Sequence, residues 1–144
     1  MIINYVVVCF AIVLNGGLVA GDDETDDKDK IQGEWSLVSM ETSGRKMDEE
    51  AIKKSKLEVK NNEWVSTANG RELTRTYKLD SSKSPKQIDL VSKQEDKKVT
   101  WLAIYKIDGD ALTFCWPAPG AERPKELKIG DRIGVAVYKR VTKK

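Results

Sequence analysis

The chain contains no histidine at all, and only two cysteines among its 144 residues. The absence of histidine excludes Ser-His-Asp catalysis, Cys-His catalysis and histidine-ligated zinc. Positive and negative charges are nearly balanced: the chain has 25 Lys and Arg residues and 23 Asp and Glu residues, for a net charge of +2. No overall field therefore favours nucleic acid as a partner. The length is that of a single domain, which excludes a multidomain machine.

A long apolar run is missing as well. The first 21 residues carry no charged side chain, but their unbroken apolar run, Tyr5 to Leu14, has only about half of the ~20 residues that a membrane span needs. It has the length of the apolar core of a secretory signal, and Val19-Ala20-Gly21 offers the small residues that a signal peptidase reads. We therefore expect residues 1–21 to be a cleaved signal peptide and the chain from Asp22 onward to be exported, to the periplasm or outside the cell, without a stable membrane span. An uncleaved anchor is the competing interpretation, since no Lys or Arg precedes the run.

Cys9 lies within the predicted signal, which leaves Cys115 alone in the exported chain. No intramolecular disulfide can then form. Because no histidine is present to activate its thiol, Cys115 is expected to be a small buried residue rather than a nucleophile.

Residues 22–30 hold six acids and two lysines with no apolar residue, a composition typical of a disordered spacer. The run lacks the glycine turn and the ligand spacing of a calcium loop, so we predict neither a metal nor a cofactor. Without this spacer the remaining domain, residues 31–144, has a basic excess that favours anionic partners.

From Gly33 onward apolar and polar residues alternate with a period of two, and turn signals recur every eight to twelve residues. This pattern is typical of an all-β antiparallel sandwich or barrel. Eight strands are predicted, with a weaker ninth at 126–129: 34–41, 56–61, 63–68, 71–80, 87–93, 98–107, 111–116 and 132–141. The one helical signal is 48–55, where Asp48 can act as N-cap and Met47 can pack on Ile52.

Two hairpins can be registered from the sequence, because Asn69-Gly70 and Asp108-Gly109 are pairs that accept positive φ at both central positions of a type I′ turn. In the first hairpin, Ala68 then pairs with Arg71 and Trp64 with Arg75. In the second, pairing of Ile107 with Asp110 sets residues on one face, which we take as the interior. These residues are Trp101, Ala103, Tyr105, Leu112, Phe114 and Trp116.

Arg75 is thereby predicted to point inward, and this is the sharpest functional indication in the sequence. A buried guanidinium requires a carboxylate, carbonyl groups or an anionic ligand. The structural alternative is that Arg75 lies at the barrel mouth with its plane on Trp64, a cation–π contact worth about 0.5–2 kcal/mol. The aromatic face has the same two interpretations, since an eight-stranded barrel can be filled by its own side chains or hold one small ligand.

Gly33-Glu34-Trp35 resembles the Gly-x-Trp opening of lipocalin-like barrels, in which the Trp closes one end and a basic residue of the last strand, here Arg140, covers it. Further motifs resemble those of a family of uncharacterised, mostly exported domains abundant in planctomycete bacteria, whose leading motif Leu-x-Gly-x-Trp is matched here with Ile31 in place of Leu. The resemblance spans about residues 31–140 and implies a lipocalin-like fold with no established catalytic residue. The remaining motifs that carry it are Tyr77-Lys78-Leu79-Asp80, Pro85-Lys86-Gln87-Ile88-Asp89-Leu90, the segment from Ile104 to Cys115, and Glu122-Arg123-Pro124.

Three functions follow as hypotheses. The first is an exported, non-enzymatic, lipocalin-like module that binds a small amphipathic or anionic ligand through Trp64, Arg75, Tyr77, Trp101, Tyr105 and Trp116, with Gly33, Trp35, Gly109 and Arg140 as structural residues. The second is a structural or protein-interaction module of the cell envelope with a filled barrel, since the outward residues Val38, Met40, Leu102 and Ile104 need a cover. The third, an enzyme, requires Cys115 or the pair Asp89 and Asp108 to converge in a pocket, and the spacing gives no sign of it.

Overall fold

The computed structural model describes residues 27–94 and 96–142. Alternating sequence produces strands along more than half of this part of the chain, and one short helix, α1, interrupts them at Glu49–Lys53. Asp48 caps α1 by accepting a hydrogen bond of 2.8 Å from the Ala51 amide, as the sequence predicts. No helix among these residues is long and apolar enough to span a membrane. The strands are β1 (Gly33–Thr42), β2 (Arg45–Lys46), β3 (Lys56–Lys60), β4 (Glu63–Ala68), β5 (Arg71–Asp80), β6 (Lys86–Gln94), β7 (Lys97–Asp108), β8 (Ala111–Trp116) and β9 (Gly134–Arg140).

The strands form one antiparallel sheet in the order β2-β1-β3-β4-β5-β6-β7-β8-β9, and β1 also pairs with β9. That last pairing closes eight strands into a barrel, with the two-residue β2 as an addition at its rim. The predicted all-β antiparallel barrel is confirmed, and its eight closed strands fit the lipocalin-like architecture. We call the end where Gly33 begins β1 and Arg140 ends β9 the closed end. The other end, which holds the Asn69-Gly70 turn, is the open end.

The Asn69-Gly70 hairpin has the predicted register, with Ala68 opposite Arg71 and Trp64 opposite Arg75. Both turn residues have positive φ, 51° at Asn69 and 77° at Gly70, as a type I′ turn requires.

The second hairpin differs from its predicted register by two residues. Asp108 pairs with Ala111 and Tyr105 with Phe114, so the loop residues are Gly109 and Asp110, and only Gly109 has a positive φ, of 61°. Glycine at the first of two loop positions is typical of a type II′ turn. A shift of two preserves which face each side chain takes, so the predicted inward face survives the wrong pairing.

A β-bulge in β1 reverses the predicted orientation of Met40. Leu37 pairs with Tyr138 and Ser39 with Val137, which leaves Val38 as an extra residue. Alternation is reset beyond the bulge. Met40, predicted to face outward, therefore lines the interior, while Val38 stays outside and is 51% exposed.

The predicted weak strand at 126–129 is instead part of a long connection, residues 117–133, between β8 and β9. This connection lies over the outer face beside Ile104 and Cys115. The Cys115 thiol donates to the carbonyl of Glu126 at 3.6 Å, and both Ile104 and Cys115 are buried. Arg123 fixes the connection, donating to the Ala103 carbonyl at 2.8 Å.

The closed end is filled by residues that precede β1. Residues 27–30 form a helical turn, and Ile31 and Asp27 are buried. The Asp27 carboxylate accepts from Lys86 Nζ at 2.9 Å and from the Tyr105 hydroxyl at 2.8 Å. The predicted disordered spacer therefore differs from the structure in its last four residues, because Asp27 is buried against partners that only the folded barrel provides. Residues 1–26, with the predicted signal peptide, lie outside the described residues.

Candidate functional site

A cavity of about 200 Å³ lies inside the barrel and reaches the open end beside Met47 and Ala68. Its walls are mainly apolar. Met47 comes from the segment that leads into α1, so this segment borders the mouth. Four of the six predicted ligand-binding residues line the cavity, namely Trp64, Arg75, Trp101 and Trp116, together with Leu37, Met40, Leu90, Phe114 and Tyr138.

Arg75 points inward, as the register of β5 predicts, and lies halfway along that strand. Its guanidinium lies 4.6 Å from the ring centroid of Trp101, not on Trp64 as the sequence suggested. NH1 is 3.4 Å from the Ser66 hydroxyl, and Nε is buried without a hydrogen-bond partner. Among the described residues, no carboxylate lies within ion-pair distance of this guanidinium, so the charge is left to Trp101 and one long hydrogen bond.

Burial acts on both ionisable groups that meet in the cavity. It lowers the pKa of Arg75 from its ordinary value, while the nearby Tyr138 phenol opposes that shift. Burial raises the pKa of Tyr138 to about 12, against an opposing effect of the Arg75 charge. Tyr138 is therefore neutral at physiological pH, and Arg75 carries its charge, as arginine side chains do in proteins.

The aromatic walls contact one another in a row. Trp64 and Phe114 have ring centroids 4.9 Å apart with planes tilted by 43°. Phe114 and Trp116 are stacked, with centroids 5.2 Å apart and planes 18° from parallel. Gly134 allows this stack, because a Cβ there would come within 2.4 Å of the Trp116 ring. Phe114 and Trp116 thus form a stacked pair in the cavity wall.

The polar part of the lining is basic. Two cationic residues, Lys56 and Arg75, border the cavity with the hydroxyl residues Ser66 and Thr67, and neither Asp nor Glu is among the lining residues. Lys56 is exposed, so water screens its charge, whereas Arg75 is half-buried and its charge is screened less. The electrostatics of this cavity favour an anion.

Tyr77 and Tyr105, both predicted as ligand-binding residues, lie elsewhere. The Tyr77 hydroxyl donates to the Asn61 carbonyl at 2.8 Å and accepts from the Gln32 side-chain amide at 2.8 Å. Tyr105 is 1% exposed and donates to Asp27. Neither side chain lines the cavity, because both share the inward face but lie nearer the closed end, where the N-terminal turn occupies the interior.

The predicted structural residues meet at that closed end. Arg140 lies 4.2 Å from the ring centroid of Trp35, and its NH1 donates to the Gln32 carbonyl at 3.0 Å. Trp35 is fully buried, and its indole N–H donates to the Ile31 carbonyl at 3.0 Å. Gly33 has a φ of +120°, a conformation that favours glycine, and a Cβ there would contact Arg140 at 3.5 Å.

Sequence reasoning missed Tyr138, Met40 and Met47 as cavity residues. Tyr138 follows the inward–outward alternation of β9. Pairing β9 with β1 in the sequence analysis would therefore have placed its side chain in the barrel interior. Met40 could not, because the bulge at Val38 has no signal in its own residues. The position of Met47 at the cavity depends on where the segment before α1 folds back, which alternation does not predict.

The residues proposed for enzyme chemistry do not converge. Asp89 forms an ion pair of 2.7 Å with Arg123 and pairs in the sheet with Leu102, six residues before Asp108. At about 3.4 Å per strand residue, the two carboxylates lie roughly 20 Å apart along the barrel. Burial raises the pKa of Cys115, which disfavours its thiolate. No group of three or more Cys, Asp or Glu side chains within the described ranges could hold a metal ion.

Comparisons of this chain with protein-family models, with curated proteins and with solved structures found no match. The case for function therefore depends on the geometry of the cavity.

Proposed function

We propose that the chain is an exported, non-enzymatic, lipocalin-like module that binds a small anionic amphipathic molecule in the barrel cavity. The observation that carries the proposal is Arg75, a half-buried guanidinium in an aromatic cavity whose lining contains no carboxylate. Burial of an uncompensated charge costs free energy. An anionic ligand would supply the missing partner through charge-assisted hydrogen bonds.

Apolar burial supports the second half of the proposal. Trp64, Trp101, Phe114 and Trp116 offer ring surface that a ligand tail can cover, at about 25 cal/mol per Å² of apolar surface removed from water. A few oriented polar groups within a mainly apolar concave site are typical of small-molecule binding. Here Arg75 and Ser66 are such groups.

The absence of enzyme activity is inferred from chemistry. The chain has no histidine, and the raised pKa of Cys115 disfavours its use as a nucleophile. Export is inferred from residues 1–21, and the resemblance to exported planctomycete domains agrees with it.

Native mass spectrometry of the protein purified from its producing cells tests the proposal. We expect the chain Asp22–Lys144 with a discrete added mass that disappears on denaturation. An Arg75→Gln variant should lose this mass. Arg71→Gln is the matched control, because it removes an exposed arginine of the same strand that does not line the cavity.

The bare chain in the wild-type spectrum, together with no calorimetric binding of any small organic anion, would contradict ligand binding. A mass that includes residues 1–21 would contradict signal cleavage and support the retained anchor.

A second candidate, a protein-interaction module, has one observation in its favour. An apolar groove of about 380 Å³ lies between α1, β1 and the 117–133 connection, bordered by Ile52, Leu127 and Val135. Co-purification of one stoichiometric partner, lost in an Ile52→Asp variant, would support this alternative.

A further inference from the structure

We infer that the ligand is a compact aromatic monocarboxylate whose carboxylate pairs with Arg75 and whose ring lies against the Phe114–Trp116 stack. This inference rests on the proposed function and narrows it to one chemical class. Three properties of the cavity support it: its volume, the aromatic residues of its wall and the surroundings of its cation.

The volume limits the ligand to a small molecule. The cavity measures about 200 Å³, below the ~300–1,000 Å³ of pockets that enclose drug-sized ligands. A protein cavity of about 150 Å³ is enough for benzene. The cavity cannot lengthen toward the closed end, because Trp35 and Ile31 are fully buried there. A substituted ring therefore fits inside, whereas a long acyl chain would leave methylene groups in water.

The wall favours an aromatic molecule. The rings of Trp64, Trp101, Phe114 and Trp116 line the cavity, so a ligand ring can pack against aromatic side chains. Contacts between aromatic rings are favourable beyond the effect of area burial alone. A flexible alkyl chain gains no such contact and loses rotational freedom on binding.

The cation favours a planar anion of single charge. The Arg75 guanidinium carbon lies 4.6 Å from the Trp101 ring centroid, Nε has no hydrogen-bond partner, and NH1 makes one long contact of 3.4 Å with Ser66, so the guanidinium has donor capacity left for a ligand. A planar carboxylate matches this fork. The other cation of the lining, Lys56, is exposed, so a second negative charge on the ligand would remain mostly screened by water.

Isothermal titration calorimetry of the purified chain with four probes tests the inference. The probes are 4-methylbenzoate, octanoate with the same number of carbon atoms, the neutral 4-methylbenzamide, and 4-methylbenzenesulfonate. We expect 4-methylbenzoate to bind at least about 10-fold more tightly than each of the others. Arg75→Gln should lower its affinity about 10- to 100-fold, and Arg71→Gln should leave it unchanged.

A second variant keeps the test independent of Arg75. Trp116→Leu removes one ring of the aromatic wall without a change of charge, so it should reduce the preference for 4-methylbenzoate over octanoate and leave octanoate binding in place. A preserved preference in this variant would contradict the stacking part of the inference.

Other outcomes separate the inference from the proposed function. Equal or tighter binding of octanoate overturns the aromatic class, and equal binding of the sulfonate overturns the carboxylate, while both leave an anion-binding barrel. Equal binding of the amide overturns both the inference and the role of Arg75. No binding of any probe, with no ligand mass in the native spectrum, overturns the inference and the proposed function together.

Discussion

The barrel contains two arginine–tryptophan stacks of nearly equal geometry in different surroundings. At the closed end the Arg140 guanidinium lies 4.2 Å from the Trp35 ring, and in the cavity Arg75 lies 4.6 Å from the Trp101 ring. Arg140 also donates to the carbonyls of Lys30 and Gln32. Arg75 has one long hydrogen bond, to a serine hydroxyl.

The difference separates a structural arginine from a candidate binding arginine. Carbonyl acceptors make the charge of Arg140 part of the fold, because they replace the water that it loses. Arg75 loses water without equal compensation, a condition that a protein maintains more often at functional sites than elsewhere. The same side-chain pair therefore has two roles, and the remaining partners decide between them.

The largest effect that distinguishes the two stacks is expected from their tryptophans. Trp35→Ala should lower the free energy of unfolding by about 3–5 kcal/mol, because it removes a fully buried ring and its hydrogen bond. Trp101→Ala should cost about 1–2 kcal/mol, since Trp101 is partly exposed at the cavity. Urea denaturation measures both. Equal costs would show that the cavity wall is as much a part of the core as the closed end.

The next effect concerns the buried carboxylate of the closed end. Asp27→Ala should lower the free energy of unfolding by about 2–3 kcal/mol, because it removes the carboxylate that accepts from Lys86 and Tyr105. The one-third exposure of Lys86 keeps the cost below that of a fully buried pair. The matched control is Asp29→Ala, an exposed acid of the same turn. Chemical denaturation of the two variants should separate them, and equal stabilities would mean that the turn does not close the barrel in solution.

Replacement of the two arginines by methionine should change stability in opposite directions. Arg140→Met should lower the free energy of unfolding by about 2 kcal/mol through its lost hydrogen bonds. Arg75→Met should raise it by about 1 kcal/mol, because an apolar side chain replaces an incompletely compensated charge. Thermal and urea unfolding would show the signs. A marked loss of stability in Arg75→Met would break the comparison and make Arg75 a structural residue.

The smallest effect tests whether the cavity is shielded from water at Tyr138. The pKa of this phenol is raised to about 12 by burial, against about 10 when unfolded, so the folded state retains a proton that the unfolded state releases. Stability should fall as pH rises through this window, with about 0.8 kcal/mol lost from Tyr138 between about pH 9 and pH 10.5. Tyr138→Phe should remove that part of the slope in pH-dependent denaturation. An unchanged slope would show that water reaches the phenol.

Much of the barrel could be predicted from sequence because its rules are local. Alternation located β4, β5 and β8 at their observed bounds, and the Asn69-Gly70 turn fixed the register that turns Arg75 inward. The second hairpin shows the limit of such reasoning. Asp108-Gly109-Asp110 allows two turn types, and the choice between them depends on pairing along the whole of β7 and β8.

The candidate site was less predictable because position along the barrel axis is not encoded in alternation. Tyr77 and Trp101 both face inward, yet one is part of the closed end and the other lines the cavity. Their separation depends on Asp27 and Ile31, which fold back from a stretch of acidic composition. Burial of Asp27 was hidden because its partners, Lys86 and Tyr105, come from distant strands.

The position of Arg140 beside Lys30 and Gln32 has a consequence for how this barrel can be attached. Gly33, the first residue of the first strand, and Arg140, the last residue of the last strand, both lie at the closed end. Turns within the chain form the open end. Any anchor, dye or neighbouring domain joined before β1 or after β9 would lie at the closed end, away from the cavity mouth. Immobilisation through the C-terminal side should therefore leave the mouth facing solution, ready for surface-based binding measurements.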